Sequence, residues 1–336
     1  MKPPFLKAQR LSTLLVLLLF VGCKKDSGPQ IKVNYYQVWD KGAHNAFTDL
    51  SLYKNNFYLV FREGSSHGSS DGAIRILKSA DGSNFTSVAL ITDPEFDLRD
   101  PKIVNLGDSI LYIQFAMVDH NKKVVRNGMQ WSKDGAAWTD RKVFTQNDTW
   151  WLWGLTKTDD DLLSVGYNPF QNDYNLIYRS KKLGEYVPVA KVTTGSFSSG
   201  EASIAYSGDT VFCAIRATHW NLPSYVGYAL DKNLTKWNCV PQNTEMILGG
   251  PKLFTLPNGK LYLVTRSNRD RYMQTCLYNV NKKTMQLTYL LSVPSEGDNA
   301  YGGIAYTKTD LYISYYSTFS SKSAIYVAKI PFADIK

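Results

Sequence analysis

What this chain lacks narrows it first. Cysteine is scarce, four in 336 residues, and Cys213, Cys239 and Cys276, the ones beyond the N-terminal leader, have no metal-ligand spacing. Zinc is not expected on that ground, and the sequence gives no reason to expect another metal or a cofactor. No block of Lys or Arg occurs: the formal charge of +9 is spread along the chain, which argues against nucleic acid as a partner. No segment carries the apolar period of a long amphipathic helix, which argues against bundles and α/β folds. The one long apolar run, LSTLLVLLLFVG at 11–22, is too short to span a membrane comfortably.

That run has a different reading. Lys2, Lys7 and Arg10 make a basic start, the apolar run follows, and a small residue and a cysteine close it. This is a secretory signal, and FVGC resembles a bacterial lipobox, with cleavage before Cys23 and a lipid on its thiol. The expected organisation is a signal peptide over 1–22, a polar Gly/Pro/Ser tether over 23–30, and one large domain over 31–336. The expected location is the cell envelope, outer-membrane anchored through Cys23, facing periplasm or exterior. Without the basic leader the chain is mildly basic, which suits acidic glycans or an anionic surface. Export would permit a Cys213–Cys239 disulfide, although Cys213 (TVFCAIR) and Cys276 (MQTCLYN) read as small buried apolar residues in strands. A monomer is expected.

What is present is β-structure. Short runs rich in Tyr, Val, Ile, Phe and Leu alternate with Gly, Asp, Asn and Ser. A turn, Ser-x-Asp-Gly-x-x-aromatic, is written at Ser79–Phe85 and again at Ser132–Trp138, with degenerate copies starting near Ser180, Ala229 and Tyr278. Copies about fifty residues apart, each spanning four short strands, describe propeller blades. In phase with them, six strand–turn–strand units recur, beginning FTDLSLY, RDPKIV, WLWGLT, EASIAY, GPKLFT and YGGIAY. The sixth lacks a fourth strand, and IKVNYYQVW at 31–39 has no other partner. The expectation is a six-bladed β-propeller closed by its N-terminal strand, which leaves no free edge. In the turn, Ser and Asp bond local backbone, Gly permits positive φ, and the aromatic anchors the turn against the next blade; this is scaffold.

The turns resemble the Asp-boxes of the sialidase superfamily, in a form one residue shorter than the common one. The resemblance extends to Glu201 opening blade four, Arg216 and Arg266 ending the second strands of blades four and five, and Tyr301 opening blade six. It covers Ile31 to Phe332. FREG with His67, DLRDPK, GGP and the GD–Tyr–Gly pattern at 297–302 further resemble an exported sialidase-like branch found in Bacteroidetes and Planctomycetes. The chain departs from sialidases at FTDL, where Asp49 stands in place of the first arginine of the carboxylate-binding triad. In the loop that carries the sialidase acid/base, His67 falls nearest that position and Asp71 follows it.

The resemblance implies a catalytic set of Tyr301, Glu201, His67 and Asp71. In this family Tyr is the nucleophile and a carboxylate holds its proton. In a propeller, charged residues near innermost strands face the channel mouth, so Asp49, Arg62, Glu63, Arg99, Asp100, Arg216, Arg266 and Asp298 are expected to bind substrate. The arginines suit a carboxylate or sulfate. In TWWLWG, Trp151 and Trp153 share a strand face, and Trp153 is the expected sugar platform. Tyr315 and Tyr316 are read as one core and one rim residue. The functional expectation is an exo-acting glycoside hydrolase on a terminal acidic sugar. Two alternatives stand beside it: a glycan-binding propeller without chemistry, and a uronate lyase in which His67 and a Tyr move protons while an Arg neutralises the carboxylate. Glu201 beside Tyr301 would favour the hydrolase.

Overall fold

The computed structural model describes residues 33–335, apart from 108, 145–148, 160, 194–198, 220, 244–246, 270–271 and 320. The leader, the tether and Cys23 lie outside the described residues. The rest is a ring of six four-stranded antiparallel sheets, as the period of the repeats implies. The innermost strands are His44–Tyr53, Asp97–Asn105, Trp151–Lys157, Ala202–Ser207, Gly249–Thr255 and Asn299–Tyr306. Each touches the innermost strand on either side, so the ring closes.

Closure uses both ends of the described chain. Asn34–Trp39 pairs antiparallel with Ala324–Pro331, Asn34 opposite Lys329 and Trp39 opposite Ile325. The N-terminal strand thus completes the sixth blade. Trp39 fixes it: the indole is buried, lies 6.1 Å from Phe61, and donates its N–H to Glu63 at 2.8 Å. Blade-to-blade packing is close enough to demand glycine. At Gly303 a side chain would meet the backbone N of Leu50 at 2.2 Å.

The repeated turns behave as local staples. Asp81 accepts the N–H groups of Ser83 and Asn84 at 2.8 Å, and Asp134 those of Ala136 and Ala137 at 2.8 and 2.9 Å. The serines accept from Gly82 and Gly135. Gly135 has φ 76° and lies against the Tyr58 ring of the preceding blade, where no side chain would fit. The backbone N–H bonds lower the Asp134 carboxyl to about 2. Cys213, Cys239 and Cys276 are free thiols.

One device repeats at the channel mouth and builds the site. Five innermost strands carry a bulge near their first turn, at Ala46/Asp49, Arg99/Lys102, Leu152/Gly154, Gly249/Lys252 and Ala300/Gly303. At four of them a residue takes left-handed φ: Phe47 (62°), Asp100 (46°), Gly250 (59°) and Tyr301 (53°). A bulge re-aims side chains out of the strand's alternation. Phe47, Asp100 and Tyr301 are brought to the cavity wall at such bulges.

Candidate active site

At that mouth lies a cavity of about 390 Å³, lined among others by Phe47, Asp100, Glu201, Arg216, Arg266 and Tyr301. Its centre is a buried pair. The Tyr301 hydroxyl donates to Glu201 Oε1 at 2.5 Å. Arg216 bridges the two, 2.9 Å from the same carboxylate oxygen and 3.3 Å from the phenol. The other oxygen, Oε2, accepts the Gly250 N–H at 2.9 Å. A side chain at Gly250 would meet the Tyr301 ring at 2.7 Å, so glycine is needed for this donor to reach.

The electrostatics sort the protons. Burial pushes Glu201 up, but Arg216, the Tyr301 hydroxyl and the Gly250 N–H outweigh it, and the carboxyl ends below its ordinary range. Burial and the Glu201 charge hold the Tyr301 phenol well above its own. The resting state is a carboxylate facing a neutral phenol, the arrangement of a nucleophile beside its base. Asp100 is opposite in character. Burial raises it to about 6 against the pull of Lys102 and Arg99, and its Oδ1 is buried with no hydrogen-bond partner. The two carboxyls in one cavity thus titrate in different ranges, Asp100 keeping its proton to higher pH than Glu201, the ordering of an acid and a base.

The remaining wall is aromatic and cationic. Trp151 stacks on Tyr167 at 5.9 Å and 15°; both line the cavity, as does Phe170. Arg99 lies 5.0 Å over Phe47 and 3.1 Å from Asp97. Arg266 is 2.8 Å from Asp298 Oδ1. His67 Nδ1 is 2.8 Å from Asp298 Oδ2, and the His67 ring stands edge-on to Phe47.

Several expected ligand groups face elsewhere. Arg62 is fully buried, with its guanidinium committed to Asp97 at 2.8 Å and to the carbonyls of Ser66 and Ser69 at 2.9 and 2.8 Å. It ties down the loop that carries His67 and does not line this cavity. Glu63 pairs with Arg75 at 2.8 Å and with Trp39, holding the closing strand. Asp71 accepts the Ser65 N–H and hydroxyl at 3.1 Å and shapes the same loop without lining the cavity. Asp49 is 1% exposed, is 2.9 Å from Lys252, and accepts the Ile103 N–H; the ion pair stands two residues along each strand from the left-handed Phe47 and Gly250. The Leu152/Gly154 bulge breaks the alternation expected for TWWLWG. Trp153 is 2% exposed, sits 5.9 Å from Tyr301 and under Lys102 at 4.2 Å, while Trp151 takes the wall position. Tyr315 and Tyr316 are both fully buried, and Tyr316 donates to Asp298 at 2.8 Å.

Phe47, Trp151, Tyr167 and His120 were not anticipated on this wall. Phe47 had a signal: it stands where Asp100, Glu201, Gly250 and Tyr301 stand in their own repeats. His120, on the turn after the second strand of blade two, had none; it is positioned by Asp97 at 2.9 Å. A wider cleft of about 830 Å³ lies elsewhere, along Lys157, Asp161, Arg179 and Asp231. Its charges serve turns and a surface ion pair: Asp231 accepts from Thr235, and Arg179 pairs with Asp161 at 3.4 Å.

No protein-family model matches the chain, and no curated protein matches it. Solved structures do. A protein of unknown function from Dyadobacter fermentans superposes with a TM-score of 0.77 at 14% identity, over 90% of this chain and 100% of that one. The Penicillium chrysogenum α-L-arabinanase complexed with arabinobiose gives 0.69 at 12% identity, over 90% and 99%. The Trypanosoma rangeli sialidase gives 0.68 at 9% identity, over 86% and 55%. The fold is therefore the six-bladed propeller shared by sialidases and arabinanases, a fold that carries glycoside hydrolases among its members.

Proposed function

We propose that this protein is an exported, lipid-anchored glycoside hydrolase that removes a terminal acidic sugar from a glycan, with Tyr301 as nucleophile. The observation that carries the reading is the buried Tyr301–Glu201 contact of 2.5 Å, bridged by Arg216. Glu201 takes the phenolic proton as the Tyr301 oxygen attacks the anomeric carbon. Asp100, kept partly protonated by burial, gives its proton to the departing glycosidic oxygen. In the second half-reaction Asp100 takes a proton from water, water displaces Tyr301, and Glu201 returns the phenolic proton. Arg216 offsets negative charge developing on the tyrosine oxygen. Arg99 and Arg266 are the forks for a carboxylate or sulfate on the sugar, and Trp151 is the ring platform.

The lyase reading requires a histidine opposite a tyrosine that has no carboxylate partner, and the partner of Tyr301 is Glu201. The glycan-binding reading needs only the arginines and Trp151, and it leaves the buried Tyr301–Glu201–Arg216 contact without a use. The lipid anchor rests on the basic start, apolar run and Cys23 of the leader. The deciding experiment screens the purified mature chain against a polysaccharide panel, reading both released sugar and new double-bond absorbance. Released sugar without absorbance is the expected result. Absorbance would make it a lyase, and binding with neither signal would make it a recognition module.

A further inference from the structure

Beside the Tyr301 pair lies a second constellation. His44 opens the innermost strand of blade one, His67 sits on the loop after that blade's second strand, and Asp298 directly precedes the innermost strand of blade six. One ligand atom from each lies within 4.8 Å of the others. His67 Nδ1 and Asp298 Oδ2 are 2.8 Å apart, within reach of one ion, whose adjacent tetrahedral ligands lie about 3.3 Å apart with bonds of about 2.0–2.1 Å. His44 Nδ1 is buried with no hydrogen-bond partner, and a buried polar atom of this kind needs an explanation. The other Asp298 oxygen, Oδ1, is held by Arg266 and by the Tyr316 hydroxyl, each at 2.8 Å. Such outer contacts fix a metal-binding carboxylate in orientation. The aromatic edge of Phe47 does the same for the His67 ring.

We propose that His44, His67 and Asp298 bind one divalent transition-metal ion, zinc first, at the rim of the cavity. Two imidazoles and one carboxylate form a donor set suited to zinc and its neighbours and poor for calcium or magnesium, which take oxygen. The surroundings sharpen that choice. Arg266 shares the only carboxylate and Arg62 and Arg99 lie nearby, so a hard cation held by charge alone would be repelled. The widest separation exceeds what adjacent zinc ligands span, about 3.3 Å in a tetrahedral site. The wide pair includes His44, because His67 and Asp298 already touch, and it must draw together by up to about 1.5 Å on binding. Three protein ligands leave a position for water or a substrate oxygen, and His67 lines the cavity. The ion would add a second cationic centre beside Arg266.

The proposal is independent of the hydrolase reading, because binding is read without substrate. The chelator-treated full chain is titrated with zinc by calorimetry and melted with and without the ion, and cobalt(II) is added as a spectroscopic probe. We expect one ion per chain, a raised Tm, and cobalt d–d bands without thiolate charge-transfer bands. His44→Ala and His67→Ala should each weaken binding more than about 100-fold, beyond the loss typical of an outer contact, and His219→Ala should not. Should an alanine variant melt early without metal, Asp298→Asn serves as the second probe. Absence of binding heat and of a Tm shift, thiolate bands from cobalt, or binding that survives in both His44→Ala and His67→Ala would overturn the site.

Discussion

The site turns on a few residues held in backbone conformations that side chains seldom adopt. Phe47, Asp100 and Tyr301 all have positive φ, at a cost on the order of 1–3 kcal/mol each, and each faces the cavity. Tyr301→Phe keeps the ring and its packing and removes the nucleophile. It should leave the melting curve near wild type and lower kcat by about 10²–10⁴-fold, as should Glu201→Gln; a variant with normal turnover would remove Tyr301 from the chemistry. The pH profile follows from the two carboxyls. Glu201 must be ionised and lies below its ordinary range, so the acid limb of kcat/KM falls below that range. Asp100 must be protonated, so activity declines as pH rises through about 6. Asp100→Asn should abolish that alkaline limb and, for substrates with good leaving groups, spare kcat/KM while kcat falls because the second step has lost its base. The stability sign is the reverse. A carboxyl raised on folding costs nothing below its unfolded value, and the cost grows up to the folded pKa and stays above it. Asp100→Asn should therefore gain stability at neutral pH, by up to about 3 kcal/mol, and gain none near pH 3.

Elements and turns divide the labour differently. The Asp134 carboxylate bonds groups of its own turn, and the turn seats Gly135 on Tyr58 of the preceding blade, whose hydroxyl donates to the Asp134 carbonyl at 3.2 Å. Asp134→Ala should lower Tm and leave ligand affinity intact. Because that carboxyl is lowered on folding, its contribution is present above the ordinary aspartate range and is lost as pH falls toward about 2. Unchanged stability with lost binding would contradict the scaffold role. The loop between the second and third strands of blade one is organised from below by Arg62 and from within by Asp71. These two charges, which look like ligands in the sequence, act on the placement of His67.

For the whole molecule, closure is the controlling feature. Removing residues 31–39 takes the outer strand from blade six, exposes the edge of Ala324–Pro331 and unseats Trp39. Aggregation or a large loss of stability is expected, and Trp39→Ala alone should cost about 3–5 kcal/mol. A soluble truncation with an unchanged cooperative melt would show that this strand does not close the ring. The proposed anchor is tested on the same scale: Cys23→Ser should move the protein from the membrane fraction to the soluble fraction.

Blade number, blade boundaries and closure were legible in the sequence because they rest on local signals: the two-residue period of half-buried strands, turn chemistry at a fixed spacing, and one unpartnered strand at the start. The proximity of Glu201 and Tyr301 was legible only through their resemblance to a known order, since nothing local ties residues a hundred positions apart. The direction in which each charged side chain points was decided by tertiary structure. A bulge shifts a strand by one residue and exchanges its faces, so Trp151 reaches the wall and Trp153 the core, although the sequence alternation predicted a shared face. Asp49 and Arg62 neighbour true cavity residues in sequence, yet one pairs with Lys252 across the ring and the other turns back into its own loop. His44, His67 and Asp298 carry no sequence spacing, because they meet only where the closed ring sets blade six against blade one.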